Sequence, residues 1–154
     1  MSGEIEARLA SLGITLPGAA APAANYVPGV VTGNLIFVSG QIPIVDGAPQ
    51  FIGKIGREFS IEEGQAAARI CAINVLAVLK SVLDNLDRVV QVVKLTGFVN
   101  VAPDFNDPQK VVNGASDLIV EAFGDLGRHS RAAVGVATLP LGVAVEVEAI
   151  VEFL

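Results

Sequence analysis

The segment "SRAAVGVATLPLGVAVEVEAIVEFL" (Ser130–Leu154) decides the fold class of this 154-residue chain. In its last stretch apolar residues alternate with glutamates, a period of two that is typical of a strand with one face on a core. The apolar face carries Val145, Val147, Ala149, Val151 and Phe153, and the other face carries Glu146, Glu148 and Glu152. A small-residue apolar run before it predicts a second strand, and the turn at Leu139–Gly142 predicts that the two strands form a hairpin.

The rest of the chain predicts further strands and two long helices. Ser60 and Glu63 match a capping box, which predicts the start of a helix of about six turns. The other predicted elements are two short strands joined at Gly33-Asn34, a β-branched strand over 88–102, and a second helix over 107–127 with Pro108 in its first turn. This order predicts an α+β fold with a mainly antiparallel sheet and two helices on one face.

The composition predicts an oligomer and argues against several kinds of partner. Apolar residues make up 52% of the chain and charged residues only 17%, against about 25% charged in a typical domain. A small fold cannot bury all of this apolar area, but a subunit interface can. The net charge of −6 argues against nucleic acid as a partner. Since neither a signal peptide nor an apolar run of membrane-spanning length is present, we expect a cytoplasmic protein with no membrane partner.

The chain contains one cysteine and one histidine, Cys71 and His129. They cannot build a disulfide framework or a zinc site, so we expect no metal and no other cofactor. Cys71 lies among apolar residues in the middle of a predicted helix, where an inert buried thiol is expected. His129 and Ser130 cannot form a catalytic pair on one strand, because adjacent strand residues point to opposite faces. We expect His129 at the surface or in an interface.

Arg131 stands at the head of the apolar run in an otherwise charge-poor segment. On a strand its side chain shares a face with Ala133, Gly135 and Ala137, which predicts an open pocket beside the guanidinium. One explanation for Arg131 is an ion pair with one of the carboxy-terminal glutamates. Of these, Glu146 shares that face only if the hairpin register pairs it with Ala133 or Gly135. The other explanation is a bound ligand carboxylate. The sequence positions leave both explanations open.

Two stretches carry a composite motif: "NYVPGVVTGNLIFVSGQIP" (Asn25–Pro43) and "SRAAVGVATLPLGVAVEVEAI" (Ser130–Ile150). In the second stretch an arginine begins a strand, a Leu-Pro turn follows, and a Val-Glu-Val-Glu-Ala-Ile strand closes the motif. With these residues the chain resembles the Rid family of enamine/imine deaminases, also called the YjgF family. Because the order and the spacing both agree, this resemblance is more specific than any single motif.

The resemblance implies an architecture. The family has a chorismate-mutase-like fold, with a six-stranded sheet and two helices on one face, and it forms homotrimers with ligand clefts between subunits. The resemblance runs from about Tyr26 to the end, so residues 1–25 are expected to be a helix and loop that extend a single domain over residues 1–154. This extension and the long excursion at Ile44–Arg57 suggest a diverged branch of the family.

The resemblance also implies a site. Arg131 falls on the arginine that grips the substrate carboxylate, and Glu146 falls on the glutamate that holds or activates the attacking water. The residues that fall on cleft-lining positions are Tyr26, Ser39 and Asn113. Ala133 stands where the best-studied members have a cysteine, and its backbone carbonyl remains available to orient water. Gly135 replaces a frequent glutamate, and we expect these smaller residues to enlarge the pocket.

The implied activity is hydrolysis of 2-imino or enamino acids to 2-oxo acids and ammonia, a reaction that needs positioning and water but no metal or organic cofactor. An alternative is a non-catalytic trimer that holds a small carboxylate in the same cleft, since this function also needs Arg131. A third possibility is an endoribonuclease, a label that some family members carry, which the acidic charge makes the weakest of the three.

Overall fold

The computed structural model describes residues 3–21 and 24–154. Its helices are α1 (Glu4–Ser11), α2 (Ile61–Leu83) and α3 (Pro108–Phe123). Its strands are β1 (Gly29–Thr32), β2 (Leu35–Gln41), β3 (Ile44–Val45), β4 (Ala48–Pro49), β5 (Val89–Asn100), β6 (Ser130–Val136) and β7 (Val145–Phe153). Short 3-10 turns lie at Leu86–Arg88, Gly124–Gly127 and Pro140–Gly142. The predicted α+β class is confirmed.

The main sheet in the described part of the chain has five strands in the order β1-β2-β7-β5-β6. All neighbouring strands are antiparallel except β5 and β6, which are parallel. The sheet is therefore mainly antiparallel, as predicted, but it lacks the expected sixth strand. Instead, β3 and β4 form a separate ribbon, because a tight turn through Asp46 and Gly47, both with positive φ, folds this segment back on itself after two residues.

The predicted hairpin of β6 and β7 is wrong, because β5 lies between these two strands. Leu95 of β5 pairs with Arg131 of β6 on one side and with Ala149 of β7 on the other. The connection between β6 and β7 therefore crosses the end of β5, where the buried Asn100 amide donates to the carbonyl oxygen of Val143 at 3.1 Å. The apolar turn predicts that the chain reverses direction after β6. It does not predict which strand lies beside β7, because that depends on pairing between residues far apart in the sequence.

Helix α2 runs through the centre of the core. Its start is the predicted capping box: the Glu63 backbone N–H donates to Ser60 Oγ, and the Ser60 backbone N–H donates to the Glu63 carboxylate, both at 3.1 Å. By length and composition α2 could cross a membrane, but the core helix of a globular fold meets the same criteria. In this helix 56% of the apolar window is buried within the chain.

Helices α2 and α3 pack side by side on one face of the sheet, as predicted. At Gly114 of α3, an added Cβ would lie 2.1 Å from the carbonyl oxygen of Gln65 on α2, so only glycine permits this approach. The short helix α1 joins the same layer. Its first backbone N–H groups, at Glu4 and Ile5, donate to the Asp87 carboxylate at 2.8 and 2.9 Å, which satisfies the helix start.

The other face of the main sheet carries no described helix and exposes apolar side chains. Phe37 of β2 is 44% exposed and Val134 of β6 is 43% exposed. Glu146 and Glu148 also project from this face, in agreement with the predicted alternation along β7. Exposed apolar side chains on an uncovered sheet face are typical of interfaces.

Candidate functional site

Arg131 projects from β6 toward α3, on the helix-covered side of the sheet. Its Nη1 donates to Asn113 Oδ1 at 2.9 Å and to Ser116 Oγ at 3.2 Å, and its Nη2 donates to the Gln109 carbonyl oxygen at 3.3 Å. These three partners occupy positions i, i+4 and i+7 of the chain, so they lie along one face of α3. The structure thus brings Arg131 and Asn113, two of the predicted site residues, into direct contact.

The Arg131 guanidinium keeps donors for a further partner. A guanidinium has five N–H donors, and three of those on Arg131 are donated to α3. None of the ion pairs among residues 3–21 and 24–154 involves Arg131, whose side chain is exposed. Two donors therefore remain, the number that a planar carboxylate accepts in a bidentate pair.

Glu146 lies on the opposite face of the sheet from Arg131. Arg131 pairs with Leu95 of β5, whereas Glu146 pairs with Phe98, three positions further along the same strand. Because successive strand residues point to opposite faces, an odd separation places the two side chains on opposite sides. An ion pair between Arg131 and Glu146 within one chain is therefore excluded. One chain does not bring the two predicted catalytic residues together.

The Glu146 carboxylate is half-buried against β2. An added Cβ on Gly40 would lie 2.6 Å from Glu146 Oε2, so the glycine leaves the space that the carboxylate occupies. Burial, and then the charge of the nearby Glu148, raises the pKa of Glu146 above its usual value. The carboxylate accepts no hydrogen bond from the described residues. A carboxyl group with a raised pKa is suited to general base catalysis near neutral pH.

Tyr26 and Ser39 lie at the Gly40 end of β2. Ser39 Oγ donates to the Val27 carbonyl oxygen at 2.7 Å, and the Ser39 backbone N–H donates to the Pro28 carbonyl oxygen at 2.8 Å. These bonds hold the segment that follows Tyr26, whose side chain is 56% exposed. Tyr26 and Gly40 both line a cleft of about 820 Å³.

The six predicted site residues therefore fall into two groups within one chain. The first group, on the helix-covered side, consists of Arg131, Asn113 and Ala133. The second group, around β2 and β7, consists of Tyr26, Ser39 and Glu146. Strands β2 and β6 are separated by β7 and β5, which corresponds to roughly 14 Å at the usual strand spacing.

Two of the small residues that follow Arg131 on β6 lie against packed side chains of the same chain. Ala133 is partly buried against the core. At Gly135 an added Cβ would lie 2.9 Å from Val101 Cγ2, so the Val101 side chain fills the space that the missing side chain leaves. Within one chain Ala133 and Gly135 therefore contact packed side chains, and the expectation that they enlarge a cleft between subunits stays a prediction.

Ser116 was not predicted as a site residue, and His129 makes more contacts than expected. Ser116 Oγ lies 2.9 Å from His129 Nε2, and His129 Nδ1 lies 2.6 Å from the Gly127 carbonyl oxygen. Burial lowers the pKa of His129 below its usual value; the hydrogen bond to Gly127 opposes this effect, and the charge of Arg131 adds to it. The sequence contains one sign of this cluster, the helical spacing of the polar side chains that face Arg131.

Cys71 lies in the core of the fold, as predicted, with no exposed surface. Burial, and then the charge of Glu146, raises the pKa of its thiol, which keeps the group protonated and unreactive. Among the residues that the structure describes, no group of three or more His, Cys, Asp or Glu side chains is placed to hold a metal ion.

Comparison with protein families gives a match over nearly the whole chain. The family model described as "YjgF/chorismate_mutase-like, putative endoribonuclease" matches residues 6–153. The match thus begins before Tyr26 and includes most of α1. Protein TCP17 of Trypanosoma cruzi is 53% identical over 152 residues, which cover 98% of this chain and 95% of that protein.

Two solved structures differ in how closely they superpose on the chain. Atu1372 of Agrobacterium tumefaciens, a protein of unknown function, superposes with a TM-score of 0.91 at 47% identity, over 97% of this chain and 92% of that one. TdcF of Escherichia coli, described as "Putative reactive intermediate deaminase", is 34% identical over 134 residues, or 87% of this chain and 88% of TdcF. Its structure with bound serine superposes with a TM-score of 0.64 at 27% identity, over 87% of this chain and 92% of that one.

Proposed function

Because the chain belongs to the YjgF, or Rid, family, we propose that it hydrolyses reactive 2-imino or enamino acids to 2-oxo acids and ammonia. The observation that carries this proposal is the guanidinium of Arg131, which α3 anchors through three hydrogen bonds while two donors keep no partner among the described residues. The description of TdcF as a reactive intermediate deaminase, and the serine bound in its structure, support a small substrate with a carboxylate.

In this proposal Arg131 binds the substrate carboxylate. The planar fork of two N–H donors matches the two carboxylate oxygens, a geometry that a lysine ammonium does not have. Asn113 and the Gln109 carbonyl already hold the side chain, so the side chain loses little conformational entropy when the ligand binds. The imine carbon, next to the carboxylate, is then held at a fixed position for attack.

Glu146 is the proposed general base. Its carboxylate takes a proton from water while the water oxygen bonds to the imine carbon and the C=N electron pair moves to nitrogen. Glu146 then returns the proton to nitrogen and takes the proton of the new hydroxyl group. This second proton also passes to nitrogen as the C–N bond breaks, so that ammonia leaves and the C–O bond becomes the C=O bond of the 2-oxo acid. An enamine enters the same sequence after tautomerisation, in which its carbon gains a proton and its nitrogen loses one, so that the imine forms.

The proposed site takes its residues from two copies of the chain. Arg131 and Glu146 face opposite sides of one sheet, so a substrate that touches both lies between two subunits. We propose a homotrimer in which one copy supplies Arg131, Asn113 and Ala133, and its neighbour supplies Glu146, Tyr26 and Ser39. The exposed apolar face of the sheet supports this assembly, because a closed oligomer would bury it.

Binding of a carboxylate without reaction is the second candidate function. One chain forms all the hydrogen bonds that hold Arg131, whereas Glu146 reaches the same ligand only from a second copy. Carboxylate binding therefore requires fewer groups in place than turnover does. An endoribonuclease, a word in the family description, is disfavoured because a chain with a net charge of −6 attracts no polyanion. A ribonuclease activity that disappears on repurification would exclude it.

A coupled assay tests the proposal against the binding alternative. A serine dehydratase produces 2-aminoacrylate from L-serine, and pyruvate release is followed with and without the purified chain. The proposal predicts that the chain accelerates pyruvate release and that Arg131→Ala abolishes the acceleration. Arg128→Ala is the matched control, because Arg128 is an exposed arginine that pairs with Asp125 instead. Pyruvate binding without any acceleration by the wild-type chain would favour the binding protein.

A further inference from the structure

Ser116 and His129 form a directional chain of hydrogen bonds that ends at Arg131. The Gly127 carbonyl oxygen can only accept, so His129 Nδ1, 2.6 Å away, carries the proton. In the neutral ring Nε2 then has no proton and can only accept. The Ser116 hydroxyl, 2.9 Å from Nε2, therefore donates to it. This leaves the lone pairs of Ser116 Oγ for Arg131 Nη1, which donates to it at 3.2 Å.

We propose that Ser116 and His129 are positioning residues, which fix the Arg131 guanidinium in the orientation that receives the ligand carboxylate. This inference rests on the carboxylate-binding part of the proposed function. Neither residue needs to touch the substrate. Gly127 sets the tautomer of His129, His129 sets the direction of the Ser116 hydroxyl, and Ser116 presents an acceptor to Arg131.

The surroundings of His129 favour the neutral ring that this arrangement needs. The ring is half-buried, and burial and the charge of Arg131 both act against its protonation. A protonated ring would donate from Nε2 to Ser116 and leave the hydroxyl hydrogen without its acceptor. The same protonation would place a second positive charge beside the guanidinium. The neutral, half-buried ring therefore keeps the Ser116 hydroxyl as a donor to Nε2 and an acceptor from Arg131.

The arrangement also explains why an exposed arginine keeps one orientation. A long arginine side chain at the surface has many rotamers, and fixing one of them on binding weakens affinity. Three acceptors along one face of α3 hold Arg131 before the ligand arrives. A hydroxyl can turn away from its partner, and His129 prevents this for Ser116. The remaining donors of Arg131 are thus aimed in advance.

Two measurements on the full-length chain test this inference. The first is the ¹⁵N spectrum of the imidazole, which is free of overlap because the chain has one histidine. We expect Nδ1 to be protonated and Nε2 unprotonated in the ligand-free protein. The second is the dissociation constant of pyruvate, used as the probe carboxylate. Ser116→Ala and His129→Leu should each weaken pyruvate binding about tenfold.

His129→Gln is the conservative variant, because its side-chain oxygen can replace the Nε2 acceptor. It should bind pyruvate within about threefold of the wild type. Ser130→Ala is the matched control: Ser130 Oγ donates to the Val93 carbonyl oxygen, away from Arg131, so pyruvate affinity should not change. Melting temperatures check that each variant is folded.

The outcomes separate this inference from the proposed function. A wild-type ring protonated at Nε2, or unchanged pyruvate affinity in Ser116→Ala, would overturn the positioning role even if the enzyme turns over imines. Equal weakening in His129→Gln and His129→Leu would overturn the part assigned to the Nε2 acceptor. If the wild type binds no pyruvate, the proposed function fails, and the ¹⁵N tautomer alone decides whether the chain of hydrogen bonds exists.

Discussion

The surroundings of Arg131 and of Glu146 differ in how far one chain completes them. Arg131 is exposed, yet its own chain holds it through acceptors spaced along α3. Glu146 is half-buried, yet it rests on the glycine backbone at Gly40 and accepts no hydrogen bond from the described residues. The guanidinium of Arg131 is therefore positioned before a ligand binds, whereas the carboxylate of Glu146 is partly removed from water without being held by a hydrogen bond.

This difference indicates two separate tasks. A group that binds a ligand gains affinity when it is ordered beforehand. A group that accepts a proton gains from a raised pKa, and desolvation raises the pKa of a carboxyl group. Because the two groups face opposite sides of the sheet, the proposed reaction depends on a second copy of the chain, whereas the anchoring of Arg131 does not.

The largest effect is expected for Glu146→Gln. Loss of the proposed general base should slow imine hydrolysis by about 10²–10⁴-fold, with pyruvate affinity nearly unchanged. In the wild type the rate should rise with pH through an apparent pKa above 4.5, the usual value for a glutamate. Glu152→Gln, on the same strand with its carboxylate bonded to Asn34, is the control. A flat pH profile would contradict the role of Glu146.

The same variant should also be more stable at neutral pH. A carboxyl group with a raised pKa in the folded state binds its proton more tightly there than in the unfolded state. Glu146 therefore favours folding below pH 4.5, and this contribution is lost as the pH rises through the folded-state pKa. Glutamine avoids the burial of a charge, so thermal melting at pH 7 should occur at a higher temperature. A lower melting temperature would show that Glu146 has a stabilising partner.

Arg131→Ala should weaken carboxylate binding by about 2–5 kcal/mol if the pair is well desolvated. Arg131→Lys should give an intermediate loss, because the charge remains but the fork is missing. Calorimetric titration with pyruvate measures both variants. The melting temperature and the oligomer mass should hardly change, since Arg131 is exposed and has no ion-pair partner among the described residues. A large loss of stability with unchanged affinity would contradict the ligand-binding role.

Cys71→Ala should lower the stability by about 1 kcal/mol and leave imine hydrolysis intact. The thiol is fully buried and its Sγ–H donates to the Val145 carbonyl oxygen at 3.5 Å, so the change removes packing and one weak hydrogen bond. Chemical denaturation measures the change in stability, and the coupled assay measures the rate of imine hydrolysis. Loss of activity in a folded variant would place the chemistry elsewhere.

The smallest effect is a shift in the titration of His129. Burial and the charge of Arg131 hold its pKa below the usual value of 6.5. The stability linked to this group is present above pH 6.5 and is lost as the pH falls through the folded-state pKa. A carboxylate bound to Arg131 offsets the guanidinium charge, so pyruvate should raise the pKa of His129 in an NMR titration. A fall in that pKa on binding would contradict the placement of the ligand beside Arg131.

Local patterns in the sequence predict the elements of the fold but not all of their neighbours. The alternation along β7 and the capping box at Ser60 depend on residues close in the chain, and both are found as predicted. The β6–β7 hairpin depends on which strands pair, and β5 enters between them. Both arrangements need the same turn and the same apolar strands, so no local pattern distinguishes them.

The same limit applies to the candidate site. Arg131 and Asn113 are predicted through family resemblance, and the structure adds their contact. The opposite faces of Arg131 and Glu146 follow from the register of β6 and β7 on β5, which the sequence does not contain. Helical spacing places Ser116 on the same face of α3 as Asn113. Only the packing of α3 against β6 shows that this face points toward Arg131.

Mixing two inactive variants tests most directly whether the site is built from two copies. Arg131→Ala and Glu146→Ala chains are refolded separately and together at equal concentrations, and imine hydrolysis is measured with the coupled assay. In a mixed ring about one quarter of the interfaces combine an intact Arg131 with an intact Glu146. We predict that each variant alone is inactive and that the mixture recovers about one quarter of the wild-type rate. A mixture as inactive as its components, with mixed oligomers confirmed by mass, would contradict a site shared between subunits.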